Sequence, residues 1–193
     1  MRNPSSSLTC SLALGLGSIA GATEYEWTLT PLADWHHSSN WTPNGVPDAG
    51  DTARLWIDAI YSVTLAHSEA CDVLSIANGE VYFGVSSLQS PLYLTAPDFT
   101  VATNALVSVT SVVIDAPFES DILTGATLTL GNNAGLHTPI LNIDNGGMLA
   151  LAASTASFEG TGPATLRIGL FGSATRSLDN GASADVDGSV HVG

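Results

Sequence analysis

The feature that most constrains this chain is a string of short apolar runs separated by turn-forming residues. Beyond Val63 the runs include "VLSIANGEVYF", "PLYLTAPDFTV", "ALVSVTSVVI" and "GATLTLGNN". Apolar and polar residues that alternate with a period of two are typical of strands with one buried face, and the Gly, Asn, Asp, Ser and Pro between them mark turns. No stretch after residue 24 has the apolar spacing of three and four residues that a helix requires. The sequence therefore predicts an all-β protein made of strands of about three to five residues.

Two of these runs repeat one another. Segment 74–81, LSIANGEV, matches segment 141–148, LNIDNGGM, as L-x-I-x-N-G-x-(V/M), and the two lie 67 residues apart. Three coils of about 22 residues each would produce this separation. Further apolar pairs recur between and after them, at Leu92/Leu94, Val112/Ile114, Leu128/Leu130 and Leu166/Ile168.

Repeats of this kind predict a right-handed parallel β-helix, that is, a β-solenoid whose stacked coils build one continuous core. We assign its rungs to residues 61–193, and the rung pattern at the C-terminus leaves open a continuation beyond Gly193. An antiparallel β-sandwich or jelly roll, which also consists of many short strands, is the alternative fold.

The charge of the chain limits its partners. Against 18 acidic residues there are four arginines and no lysine, which gives a net charge of -14. Binding to nucleic acid or to an anionic membrane depends on clustered Lys and Arg, so the sequence argues against both. The main consequence of the negative charge is solubility.

The N-terminal 22 residues have the layout of a secretory signal peptide. Arg2 precedes an apolar run over residues 8–20, and Ala20-Gly21-Ala22 provides an A-x-A cleavage site. The run is too short and too rich in glycine for a transmembrane segment, so we expect a secreted or cell-surface protein. The alternative is that residues 8–20 form an apolar strand of the folded protein. Cleavage would remove Cys10 and leave Cys71 alone, which we expect to be a buried apolar residue.

All four tryptophans fall within segment 23–60, at positions 27, 35, 41 and 56. Large aromatic residues beside an irregular Gly/Pro segment are typical of a cap over the open end of a core, and we interpret 23–60 as an N-terminal capping segment. The alternative is a carbohydrate-binding surface in which Trp35 and Trp41 stack on sugars. Because these two residues flank a loop, we expect at least one to remain partly exposed.

The same segment carries a family resemblance. The matching residues are Trp35, Asn40, Trp41, Val46, Pro47, Gly50, Asp51 and Ala53, followed by Val63-Thr64-Leu65. This run resembles the N-terminal signature of bacterial secreted or surface β-helix proteins of the autotransporter-passenger or exosortase-sorted (PEP-CTERM-like) kind. The resemblance implies a secreted β-helical passenger or stalk, usually without enzymatic activity. The chain departs from that pattern in lacking a translocator barrel and a sorting helix with a basic tail.

Candidate binding residues are few. His36 and His37 are adjacent, so on an extended chain they point to opposite sides, and no cysteine or carboxylate spacing completes a zinc set. The single histidines at 67, 137 and 191 are interpreted as facing solvent. Acidic turns at Asp144, Asp185 and Asp187 offer oxygen ligands for calcium, although the same Asn-Gly and Asp-Gly sequences are ordinary turn chemistry. We predict no other cofactor.

No catalytic constellation emerges from the sequence, and G-x-S-x-G is absent. The sequence therefore predicts a non-enzymatic extracellular structural or adhesion module, a stalk or a filament that associates with itself through the solenoid ends and contacts surface glycans. A carbohydrate-binding module is the alternative function. A degenerate glycan-cleaving β-helix is a third, remoter one.

Overall fold

A computed structural model describes residues 21–28, 31–86, 91–144, 146–152, 154–158, 164–168, 175–179, 183–186 and 188–192. The predicted signal segment, apart from its last two residues, lies outside this described part. Within it the regular secondary structure is almost entirely strand, and its helical content is one 3₁₀ turn at Ser38–Asn40. No described helix has the length and apolar character needed to cross a membrane.

The strands, numbered along the chain, form three sheets. Sheet A contains nine strands: β1 (Glu24–Trp27), β3 (Trp41–Thr42), β4 (Thr52–Leu55), β7 (Val73–Ile76), β10 (Asp98–Val101), β13 (Glu119–Ile122), β16 (Ile140–Ile143), β19 (Ala164–Ile168) and β22 (Gly188–Val192). Sheet B contains seven: β2 (Leu32–Asp34), β5 (Ile60–Leu65), β8 (Glu80–Val85), β11 (Leu106–Val109), β14 (Thr127–Leu130), β17 (Met148–Ala152) and β20 (Thr175–Asp179). Sheet C contains six: β6 (Glu69–Ala70), β9 (Leu92–Thr95), β12 (Val112–Asp115), β15 (Gly135–His137), β18 (Thr155–Phe158) and β21 (Ser183–Val186).

The order of the strands makes the chain a solenoid. It passes from sheet A to sheet B to sheet C and returns to sheet A one position further along, as β4, β5, β6 and then β7. Successive strands of each sheet pair in parallel, as β7 does with β10, whereas β1 and β3 pair antiparallel. The prediction of a β-solenoid is therefore confirmed, and the sandwich alternative is wrong.

The sequence repeat corresponds to the stacking of coils in sheet A. Leu74 on β7 aligns with Phe99, Phe99 with Ser120, and Ser120 with Leu141 on β16. The two copies of the repeat are therefore three coils apart, as the 67-residue separation predicts.

The core consists of ladders of inward-facing side chains. On sheet B, Val81, Val107, Leu128 and Leu149 are aligned neighbours and each is at most 1% exposed. Along β11 and β14, the residues before and after each ladder position face outward, which explains the alternating burial of these strands. Burying a Val or Leu side chain stabilises a fold by about 1.5–3 kcal/mol, so each coil depends on its neighbours for most of its stability.

Three tryptophans close the N-terminal end of this core. Trp41 lies at their centre, with its ring centroid 4.9 Å from that of Trp27 and 4.7 Å from that of Trp35, both edge to face. Trp35 is 0% and Trp41 2% exposed, so the expectation that one of them remains partly exposed is wrong. The irregular loop between them does not expose them, because their rings occupy the position that a further coil would fill. Trp56 is 43% exposed and lies outside this aromatic cap.

Candidate functional site

Two histidines meet where the chain leaves sheet B in its first two coils. β2 and β5 are parallel neighbours, with Asp34 aligned to Thr64. The residues that follow these strands therefore lie side by side at one corner of the solenoid. His36 comes from the first of these corners and His67 from the second, and β6 begins immediately afterwards with Glu69.

The side chains of His36, His67 and Glu69 form a compact group, which we call the corner cluster. Nε2 of His67 lies 3.2 Å from Nδ1 of His36. Oε1 of Glu69 lies 3.3 Å from the same His36 nitrogen and 3.2 Å from the same His67 nitrogen. Among the residues that the structure describes, this is the group in which three metal-ligating side chains come within 4.8 Å of one another.

Glu69 is the buried member of the cluster. Its side chain is 8% exposed, whereas those of His36 and His67 are 57% and 53% exposed. Its Oε1 accepts no hydrogen bond of acceptable geometry, although both ring nitrogens are close enough to interact with it as charges. Burial raises the pKa of the Glu69 carboxyl; the two imidazoles act in the opposite direction, and the nearby carboxylate of Asp34 adds to the rise.

The aromatic cap fixes the backbone that carries His36. Trp41 Nε1 donates to the carbonyl oxygen of Trp35 at 2.8 Å, and Asn40 Nδ2 donates to that of Asp34 at 2.6 Å. The Asp34 carboxylate in turn accepts a hydrogen bond from the backbone N–H of His36 at 2.8 Å. The two residues that precede His36 are thus anchored to the aromatic cap, while its ring lies in the cluster.

A groove of about 480 Å³ adjoins the corner cluster. His36, Glu69 and the neighbouring Ser68 and Ala70 line one side, and the loop 46–49 lines the other. Asp51 holds that loop, because its carboxylate accepts hydrogen bonds from the backbone N–H groups of Thr23 at 2.8 Å and Asp48 at 3.1 Å. The Val-Pro-x-x-Gly-Asp part of the N-terminal signature therefore builds one wall of the groove.

The adjacent histidines His36 and His37 have different surroundings in the structure. His37 is exposed, and its Nδ1 lies 2.8 Å from Oγ of Ser39, away from the cluster. The prediction that His67 faces solvent agrees with its exposure but missed its partners. His36 and His67 are 31 residues apart in the sequence and become neighbours only through the pairing of β2 with β5. The one available signal was that each follows a sheet-B strand directly.

Of the remaining candidates, the two tryptophans are buried, whereas calcium binding at Asp144 stays an untested prediction. The indoles of Trp35 and Trp41 are buried, which leaves no ring face for a sugar. Asp144 belongs to a tight turn in which its carbonyl oxygen accepts the N–H of Gly147 at 2.8 Å. The side chain of Asp185, and Asp187 as a whole, lie outside the described residues, so calcium binding there stays a prediction. His137 is partly buried on β15, and the side chain of His191 also lies outside the described part.

No protein-family model matches the chain, and comparison with the curated proteins and with the solved structures gives no match. The resemblance to secreted β-helix proteins therefore rests on the N-terminal signature alone and stays a prediction.

Proposed function

We propose that the protein is a non-enzymatic extracellular structural or adhesion module, a rigid stalk whose solenoid associates with itself through the end opposite the aromatic cap. The observation that supports this proposal is the continuous parallel stacking of all three sheets, from β1 and β2 beside the cap to β20, β21 and β22. Such a structure is well suited to holding two points a fixed distance apart.

The rigidity of the stalk follows from its hydrogen bonds and its core. Strands inside each sheet pair with the coil above and the coil below, as β10 does with both β7 and β13. Bending the rod would separate paired strands on one side and break the buried ladders. Coils stacked at about 4.8 Å give a length that increases linearly with coil number, which is the property required of a spacer.

The two ends of the described solenoid differ, which gives the proposed association a direction. At the N-terminal end, β3 pairs antiparallel with β1, and three buried tryptophans cover the core. At the other end, β20, β21 and β22 are the last strands of their sheets in the described part. Strand edges of this kind pair readily with a second chain. The net charge of -14 opposes lateral clumping of such rods.

The carbohydrate-binding alternative receives no support from Trp35 and Trp41, because both are buried. Sugars stack on exposed aromatic faces, whereas Trp41 packs edge to face with both Trp35 and Trp27. We therefore do not take that function forward for these residues.

Light scattering and negative-stain electron microscopy of the 193-residue chain at several concentrations test the proposal. We expect elongated particles whose mass and length increase together as concentration rises. A matched pair of variants locates the contact: Ser189→Lys together with His191→Lys places charges on β22, and Thr42→Lys places one on β3. The β22 variant should weaken association and the β3 variant should not. A chain that stays monomeric at every concentration, or association that only the β3 variant disrupts, would contradict self-association through the end formed by β20, β21 and β22.

A further inference from the structure

The three facing atoms of the corner cluster form a nearly equilateral triangle. Its sides are 3.2 Å between the two imidazole nitrogens and 3.2 and 3.3 Å from those nitrogens to Oε1 of Glu69. Nitrogen and oxygen ligands bind zinc at about 2.0–2.1 Å, so two ligands of one tetrahedral ion lie about 3.4 Å apart. The triangle therefore has nearly the size of one face of such a tetrahedron.

The kinds of ligand indicate which ion would bind. Two imidazoles and one carboxylate suit zinc and the neighbouring divalent transition metals, whereas calcium and magnesium prefer oxygen ligands alone. Three protein ligands with one remaining position are the arrangement of open zinc sites. Here the remaining position would face the groove that His36, Glu69 and Asp48 help to line.

A second, independent observation concerns the buried carboxylate. The Glu69 side chain is 8% exposed, and its buried Oε1 has no well-aligned hydrogen-bond donor, because the two imidazole nitrogens at 3.2 and 3.3 Å are its near polar neighbours. Burying a carboxylate is costly unless a cation or donors compensate for the lost water. Neutral imidazoles would turn lone pairs toward the same point as Oε1, so three acceptors converge where a cation is needed.

From this geometry we propose that His36 Nδ1, His67 Nε2 and Glu69 Oε1 bind one zinc-class divalent ion, with a water molecule in the position that faces the groove. The ion ties the first sheet-B corner to the second and to the start of sheet C, because its ligands come from the turns after β2 and β5 and from β6. It thereby fastens the cap to the solenoid. This site is independent of the proposed association through the end opposite the aromatic cap.

The preparation of the protein decides how clearly the site can be tested. The full 193-residue chain should carry no histidine tag and should first be treated with a chelator. Titration with zinc chloride in a calorimeter gives the affinity and the number of ions per chain. Titration with cobalt(II) reports tetrahedral coordination by its visible absorption, and X-ray absorption of the zinc form reports how many imidazoles are bound.

We expect one zinc ion per chain, two imidazole ligands, and a melting temperature that rises with excess zinc. Mutation of groups that merely orient metal ligands typically weakens binding 10- to 100-fold, so His36→Ala and His67→Ala should each raise the zinc Kd by at least about tenfold. Glu69→Gln keeps the size of the side chain and removes its charge, and it should weaken binding in a chain whose fold is intact by circular dichroism.

His37→Ala is the matched control, because His37 is the adjacent histidine and contacts Ser39 instead. It should bind zinc with the affinity of the unaltered chain. The proposal is overturned if the unaltered chain binds zinc no more tightly than the double variant His36→Ala, His67→Ala, or if His37→Ala weakens binding as much as His36→Ala does.

Discussion

The indole Nε1 of Trp41 donates a hydrogen bond of 2.8 Å to the carbonyl oxygen of Trp35, and the two rings meet edge to face at 4.7 Å. One side chain thus supplies both the apolar surface that closes the core and the donor that satisfies a buried carbonyl. Asn40 makes the equivalent bond to the carbonyl oxygen of Asp34. These two bonds explain the W-x4-N-W spacing of the N-terminal signature, because each donor lies six residues after its acceptor.

Removing the Trp41 ring should destabilise the protein strongly. We expect Trp41→Ala to lower the free energy of unfolding by about 3–5 kcal/mol, the usual cost of deleting a buried aromatic side chain. Trp41→Phe keeps a ring but leaves the Trp35 carbonyl without its donor, and should cost about 1–3 kcal/mol. Urea denaturation followed by tryptophan fluorescence measures both.

Trp56→Ala serves as the control: this ring is 43% exposed beneath Arg54, and its loss should cost less than about 1 kcal/mol. Equal losses at positions 41 and 56 would contradict the described cap.

Gly79 should not tolerate a side chain. Its φ is +61°, and a Cβ atom there would lie 2.4 Å from the carbonyl oxygens of both Ile57 and Ala59. Left-handed backbone already costs an L-residue about 1–2 kcal/mol, and the clash with backbone atoms adds to that. We therefore expect Gly79→Ala to lower the melting temperature markedly. Gly84→Ala is the matched control, because nothing lies within 4 Å of its Cβ position; it should leave the melting temperature unchanged or raise it slightly. The reverse ranking would show that the corner at Gly79 is not packed as described.

Asp121 should make stability depend on pH. Burial raises the pKa of its carboxyl above the ordinary value; the hydrogen bond from Asn142 acts in the opposite direction, and the carboxylates of Glu119, Asp144 and Asp98 add to the rise. The folded chain therefore holds this proton up to a higher pH than the unfolded chain, in which the pKa of an aspartate is about 3.9. Stability falls as pH rises from that value through the raised folded pKa, and the loss is complete above it.

It follows that Asp121→Asn should stabilise the protein at pH 7 and reduce the decline in stability between acidic and neutral pH. Thermal melts of both chains across this range provide the measurement. Asp58→Asn removes the same charge at an exposed position outside this acidic group, and it controls for the change in net charge. If both substitutions stabilise equally, general charge repulsion rather than the environment of Asp121 is responsible.

Cys71 should be unreactive while the protein is folded. It is 1% exposed, and burial, with smaller contributions from Asp72 and Asp51, raises its pKa to about 12. Thiol reagents attack the thiolate, so at pH 8 both access and ionisation protect this residue. In a Cys10→Ser chain, which keeps Cys71 as its one thiol, we expect negligible labelling by a disulfide reagent until urea unfolds the protein. Full labelling under native conditions would show that the first coils open readily.

Much of the fold could be predicted from the sequence because a solenoid repeats local patterns. Leu74 and Leu141 fall in equivalent positions of one inward-facing ladder, in which Phe99 is also apolar and Ser120 is the polar exception. The buried state of Cys71, expected from its residue type, was also confirmed. The expectation that at least one of Trp35 and Trp41 remains partly exposed was wrong, because flanking a loop does not tell which way a ring points.

By itself, the sequence determined that this chain is all-β, that its strands recur with the period of stacked coils, and that its tryptophans gather at one end. Only the tertiary structure decided which polar side chains meet. Apolar periodicity specifies which residues face the core, but it leaves the length of each corner free, so the spacing between corner residues varies along the chain. His36, His67 and Glu69 come together because the parallel pairing of β2 with β5 aligns two corners of different sequence. That alignment is a property of the stacked coils and of no single segment.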